Sequence, residues 1–143
     1  MRKTIYILTF MSVMTAFAQD WVAHYGEALE MAKEGRPLIL VFSGSDWCTP
    51  CIKLDRNIWR SEVFKAYAKE NYVLYKADFP RKKINGLSEE KIKENRALAE
   101  KYNPKGHFPL ILVLDGKALV LGSTGYHNWS PEEYIAYLNT LVK

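Results

Sequence analysis

The sequence predicts an α/β protein: a three-layer α/β/α sandwich around a mixed central sheet of about four strands. Three observations carry this. Leu38-Ile39-Leu40-Val41-Phe42 and Leu110-Ile111-Leu112-Val113-Leu114 are continuous apolar runs of strand length, the pattern of strands covered on both faces. Segments with helical apolar spacing alternate with them. Asp115-Gly116 directly after the second run is a hairpin signal, so part of the sheet is antiparallel.

The chain begins with an address rather than with fold. Arg2 and Lys3 precede an apolar stretch from Ile5 to Phe17, and Ala16-Phe17-Ala18 fits a small-x-small cleavage pattern. Residues 1–18 therefore read as a signal peptide cut after Ala18. The stretch is short for a membrane span, and no cysteine follows the cut to carry a lipid. The competing reading is an uncleaved N-terminal anchor. Residues 19–143 suit a single domain able to bury roughly two-thirds of its unfolded surface. Loss of Arg2 and Lys3 lowers the formal charge of +4 by two, too little to imply nucleic acid as a partner.

Each element has its own local cause. Trp21, His24, Tyr25, Ala28, Leu29 and Ala32 recur at helical spacing, and Gly35 is placed to stop that helix. Pro37 leads into the first strand, and Ser43 to Asp46 form a loop. A helix starts near Thr49 or Pro50, where proline's missing N–H is not needed, and runs to about Trp59. A shorter helix follows from Ser61, with Val63, Phe64, Tyr67 and Ala68 inward. Tyr72 to Asp78 reads as the second strand. Phe79 to Leu87 is an inserted basic loop. Its Arg81-Lys82-Lys83, with Lys91 and Lys93 beyond, reads as a solvated surface. Ser88 caps a long helix reaching Tyr102. Pro109 opens the third strand, and Lys117 to Leu121 return antiparallel. Ser130-Pro131-Glu132-Glu133 is a capping box, and Tyr134, Ile135, Leu138 and Leu141 give the last helix its apolar face.

The chemistry sits in Trp47-Cys48-Thr49-Pro50-Cys51, which holds the only two cysteines. Two thiols at this spacing at a helix start can close a small reversible disulfide. Such a short loop removes little unfolded-state entropy, which weighs against a structural staple. Export places the pair where disulfides persist. A thiolate at Cys48 is favoured by the unpaired N–H groups and positive dipole end of the helix. Cys51 lies one turn on, on the same face.

The order strand, Trp47-Cys48-x-Pro50-Cys51, helix, then Pro109 opening a hairpin with Asp115-Gly116 and a C-terminal amphipathic helix, resembles the thioredoxin-like superfamily over nearly all of residues 19–143. The lead-in Phe42-Ser43-Gly44-Ser45-Asp46 resembles its exported bacterial members. The resemblance implies Cys48 as the exposed nucleophile and Cys51 as the resolving thiol. It makes Pro109 a cis-proline facing the disulfide, with Phe108 before it and Trp47 as flanking aromatic. Trp47, Phe108 and Pro109 would then contact substrate, while Thr49 and Pro50 tune the thiols. The Thr49 hydroxyl either donates to the Cys48 thiolate or caps the backbone. Two departures stand out. The buried acid that many relatives carry in the strand before the motif is here Val41 or Phe42, so that proton route is absent or replaced. The first strand of the full fold is also missing.

The expected activity is that of an exported thiol–disulfide oxidoreductase, a reductase or isomerase rather than an oxidase, in the periplasm or outside the cell. Its partners would be cysteine-containing exported proteins, with a membrane thiol reductase as electron donor. It would act as a monomer, with no cofactor, metal or nucleic acid. The alternative is a non-catalytic peptide-binding or chaperone-like module of the same fold. A zinc site would need two ligands beyond the cysteines. His107 lies either near the sulfurs or on a surface loop, and His24 and His127 have no evident partners. Asp46 either tunes Cys48 or caps a turn. Lys53 and Lys76 are charge partners of the sulfurs or solvated side chains. Tyr126, His127 and Trp129 flank a substrate groove or seal the end of the sheet.

Overall fold

The computed structural model describes residues 21–143; the signal peptide predicted at residues 1–18 lies outside the described residues. Four strands form one mixed sheet in the order β2-β1-β3-β4: β1 Leu38–Ser43, β2 Val73–Asp78, β3 Leu110–Leu114 and β4 Val120–Thr124. β1 pairs parallel with β2 and antiparallel with β3, and β3 pairs antiparallel with β4. All six residues of β1 are buried, as its unbroken apolar run requires.

Strand alternation sorts the core into two layers. Ile39, Val41, Leu74, Ile111 and Val113 face one way, with Leu54, Ile58, Trp59, Phe64, Tyr134 and Leu138 packed beneath them. These come from α2 (Thr49–Leu54), a π-helical segment (Asp55–Trp59), α3 (Glu62–Asn71) and α5 (Pro131–Leu141). Leu38, Leu40, Phe42, Val73, Tyr75 and Leu112 face the other way, onto Ala28, Ala32 and Leu98. Those three belong to α1 (Tyr25–Ala32) and α4 (Glu89–Tyr102). The result is the expected three-layer sandwich.

The helix ends follow their sequence signals. Ser61, Ser88 and Ser130 each accept a backbone N–H three residues on, and Glu133 completes the capping box at Ser130. Gly35 ends α1 at φ +104°, a conformation that a side chain disfavours.

Several expectations are corrected. Trp21 is not helical. It makes a parallel bridge to Leu74, and the Val22 N–H donates to the Leu74 carbonyl at 2.9 Å. A remnant of the strand judged missing thus lies against the β2 edge. The helix after Thr49 ends at Trp59 as expected, but its last turn widens into the π segment, which buries Ile58 and Trp59 together. Val63 faces solvent, because the inward stripe of α3 is Phe64 and Ala68. The hairpin return begins at Val120 rather than Lys117. The Asp115 carboxylate accepts the N–H groups of Lys117 at 2.8 Å and Leu119 at 3.0 Å, which holds those residues in the turn. Lys91 is no free surface charge. Its ammonium donates to the Ala23 carbonyl and the Tyr75 hydroxyl, and pairs with Glu94.

Candidate active site

The site forms where β1 runs into the loop before α2. Cys48 and Cys51 are joined in a disulfide with their Cα atoms 5.2 Å apart. Cys48 is the N-cap of α2, in extended conformation at φ −94° and ψ 105°. Its own sulfur caps the helix, accepting the Cys51 N–H at 3.3 Å. The Cys51 sulfur accepts the Gly44 N–H at 3.5 Å. A main-chain donor therefore points at each sulfur, an arrangement that favours negative charge on it. Cys48 is 6 % exposed and Cys51 2 %. Both are buried, so the sulfur expected to be exposed is covered in the disulfide form. Thr49 is exposed and Pro50 occupies the first turn of α2.

A second loop closes on this one. The Phe108–Pro109 peptide is cis. Phe108 packs edge-on against Trp47 with ring centroids 5.4 Å apart, and against Phe79 at 5.5 Å. The structure thus packs Phe108, the residue before the cis-proline, on Trp47, the residue before Cys48. Asn103, which sequence reasoning passed over, holds this loop. Its amide donates to the His107 carbonyl at 2.8 Å and accepts the His107 N–H at 2.9 Å. A buried Asn followed by Pro104 and Gly106 at a helix end was the available signal.

Beneath the disulfide a cavity of about 320 Å³ is lined by Cys51, Ser43, Asp55, Arg60, Lys76 and Asp78. Asp55 pairs with Lys76 at 3.0 Å and with Arg60 at 2.7 Å. Lys76 also lies 4.5 Å from the Trp21 ring centroid, so it is a partnered cation rather than a solvated one. No acid stands on β1, and Val41 faces the layer that carries α2. Asp55, one turn after Cys51 on the same helical stretch, brings a carboxylate to this cavity instead. Asp78 ties the end of β2 to the Cys48 loop, accepting the Ser45 N–H at 3.0 Å and its hydroxyl at 2.5 Å.

The remaining candidates resolve plainly. Asp46 caps a neighbouring loop instead of its own turn, accepting the N–H groups of Arg81 and Lys82, each at 2.9 Å. Those bonds, Arg81 first, with a further one from Asn85, hold its carboxyl below the usual aspartate range. The His107 side chain and Lys53 are exposed. His127 stacks on Trp129 at 3.9 Å, and its N–H donates to the Tyr134 hydroxyl at 2.6 Å. The Tyr126–Trp129 segment therefore seals the sheet against α5. His24 lies 3.8 Å from Glu94. Among the described residues, no three His, Cys, Asp or Glu side chains gather to hold a metal ion.

A disulfide that caps a helix start, with the residue before a cis-proline packed on the neighbouring Trp47, marks the chain as a thiol–disulfide oxidoreductase. The chain belongs to the thioredoxin-like family, whose model matches residues 20–116. It is 33 % identical over 120 residues to the disulfide bond reductase DsbH of Chlamydia pneumoniae, an alignment covering 83 % of this chain and 70 % of that protein. A solved structure titled DsbH oxidoreductase superposes with a TM-score of 0.81 at 29 % identity, covering 97 % of this chain and 94 % of the other. A thioredoxin from Thermus thermophilus shares the fold, with a TM-score of 0.63 at 17 % identity over 87 % and 88 % of the two chains.

Proposed function

We propose that the protein works in the reducing direction on disulfides of exported, cysteine-bearing proteins. The observation that carries this is the Cys48–Cys51 pair at the start of α2, with a backbone N–H on each sulfur. The reducing direction is supported by the relationship to a protein named as a disulfide bond reductase. The predicted signal peptide supports export.

The Cys48 thiolate of the dithiol form attacks one sulfur of a substrate disulfide. The substrate S–S bond breaks, a bond from Cys48 to that sulfur forms, and the other substrate sulfur leaves as thiolate and takes a proton. Cys51, deprotonated, then attacks the Cys48 sulfur and expels the second substrate thiol. Two electrons have passed to the substrate, and the disulfide seen here is the product. The Asp55 carboxylate in the cavity beside Cys51 is the group to take the Cys51 proton. A membrane thiol reductase would return the dithiol. Trp47, Phe108 and the cis-Pro109 backbone would hold an extended substrate segment, with Thr49 and Pro50 setting the thiol environment.

Cys51→Ser should trap exported proteins as mixed disulfides on Cys48, and equilibration with glutathione should give a potential more negative than about −200 mV. A value near −120 mV, the range of strong oxidants, would reverse the assigned direction. A double Cys48→Ser, Cys51→Ser variant that keeps full biological activity would replace the enzyme with a peptide-binding module.

A further inference from the structure

The inserted segment Phe79–Leu87 is basic, with Arg81, Lys82 and Lys83 and no acidic residue. A short charged insertion between a strand and a helix is ordinarily a solvated loop. This one is fastened to the redox motif. Asp46, two residues before Cys48, accepts the backbone N–H groups of Arg81 and Lys82 at 2.9 Å and the Asn85 amide at 3.0 Å. The Trp47 indole N–H donates to the Phe79 carbonyl at 2.7 Å. The Arg81 guanidinium lies 3.8 Å over the Trp47 ring. Phe79 packs on Phe108, the residue before the cis-proline. The loop thus grips both halves of the site.

Apart from the Asn85 amide and the Arg81 guanidinium, which lies over the Trp47 ring, the fastening uses backbone groups, and Arg81, Lys82 and Lys83 are exposed. Asp46 is committed to its hydrogen bonds, and Asp78, the other acid beside the loop, is committed to Ser45. Glu89 and Glu90 stand beyond the loop, in the first turn of α4. Three cations against the single charges of Asp46 and Asp78 leave the rim beside Trp47 net positive, with the Arg81 guanidinium held over the indole and the Lys82 backbone tied beside it. Held charges lose less freedom on binding than mobile ones.

Taking the reductase reading as its basis, we propose that this loop is a specificity wall of the redox site. It selects substrate segments that carry Asp or Glu next to the reacting cysteine. The acidic side chains would lie over Arg81, Lys82 and Lys83 while the cysteine meets Cys48.

Two peptides of matched length, each joined through its cysteine to a chromogenic thiol, test this; one has Glu and the other Lys beside the cysteine. The reduced full-length protein should show a kcat/KM about tenfold higher on the Glu peptide at low ionic strength, falling toward parity in high salt. A Lys82→Glu, Lys83→Glu variant, altered only at exposed side chains, should invert the preference. Asp46→Ala loosens the loop by removing three of its hydrogen bonds while adding net positive charge, so a positioned wall predicts a weaker preference and diffuse attraction a stronger one. Equal rates on both peptides, no response to the double variant, or a stronger preference in Asp46→Ala overturns the proposal. Failure to reduce either peptide overturns the reductase reading itself, and this inference with it.

Discussion

Replacing Asn103 with alanine tests how the cis-proline loop is held. Asn103 is 5 % exposed, and its side chain makes two hydrogen bonds, both to the backbone of His107. Each is worth about 1 kcal/mol net, and the part-buried His107 groups left behind lose their partners, so the variant should lose about 2–3 kcal/mol. For a domain of this size that lowers the melting temperature by about 8–12 °C. Urea unfolding monitored by circular dichroism gives the free energy directly. The functional effect should be selective. The sulfurs are held by α2 and Gly44, while the loop from Asn103 to Pro109 carries Phe108. Reduction of insulin should therefore slow more than reduction of a small disulfide such as oxidised glutathione. A stability loss below about 0.5 kcal/mol, or equal slowing on both substrates, would refute the assignment of Asn103 as the anchor of this loop.

Trp59→Ala should cost about 3–5 kcal/mol in chemical denaturation, because this 1 % exposed ring packs on Trp21, Phe64 and Tyr134. Asp55→Ala should slow release of a mixed disulfide by Cys51 about tenfold or more, with little change in the first attack by Cys48, as read by stopped-flow mixing with a labelled disulfide. The lowered Asp46 carboxyl holds the 79–87 loop above its ordinary titration range, and that hold is lost as pH falls through the depressed value. Protection of the Arg81 and Lys82 amides, measured against their intrinsic exchange rates, should therefore fall only below about pH 4; protection already lost at pH 6 would refute the clamp. Gly44→Ala should destabilise the oxidised form, since a Cβ there collides with the Trp47 indole; an unchanged melting temperature would show that the indole yields freely.

Most of the fold was legible because single segments dictated it. Leu38–Phe42 and Leu110–Leu114 are apolar on both faces and leave no choice but central strands. Ser130 and Glu133 write the start of α5 in four residues. The cysteine pair was legible as chemistry because its spacing matches one helical turn. The misreadings share a different cause: a distant partner overrides the local pattern. Trp21 keeps helical spacing with α1, yet its ring docks on Trp59 and Lys76. Asp115-Gly116 looks like a two-residue turn. The glycine is instead needed where the turn meets α1, since a Cβ would lie 2.9 Å from the Lys33 backbone. The widened turn at Asp55–Trp59 leaves no trace in apolar spacing. Nor does the reach of Asp46 to residues 81–85, which only the folded chain brings near.

The short stretch at Trp21–Val22 has a use beyond completing the sheet. An outermost strand offers its unpaired amides and carbonyls to any similar molecule, the route by which β-rich proteins stick to one another. Here Val22 already occupies the Leu74 carbonyl, and Trp21 lies across the same place. A chain trimmed past Val22 would bare that side of β2 to self-association, so these two residues act as a guard rail along that edge.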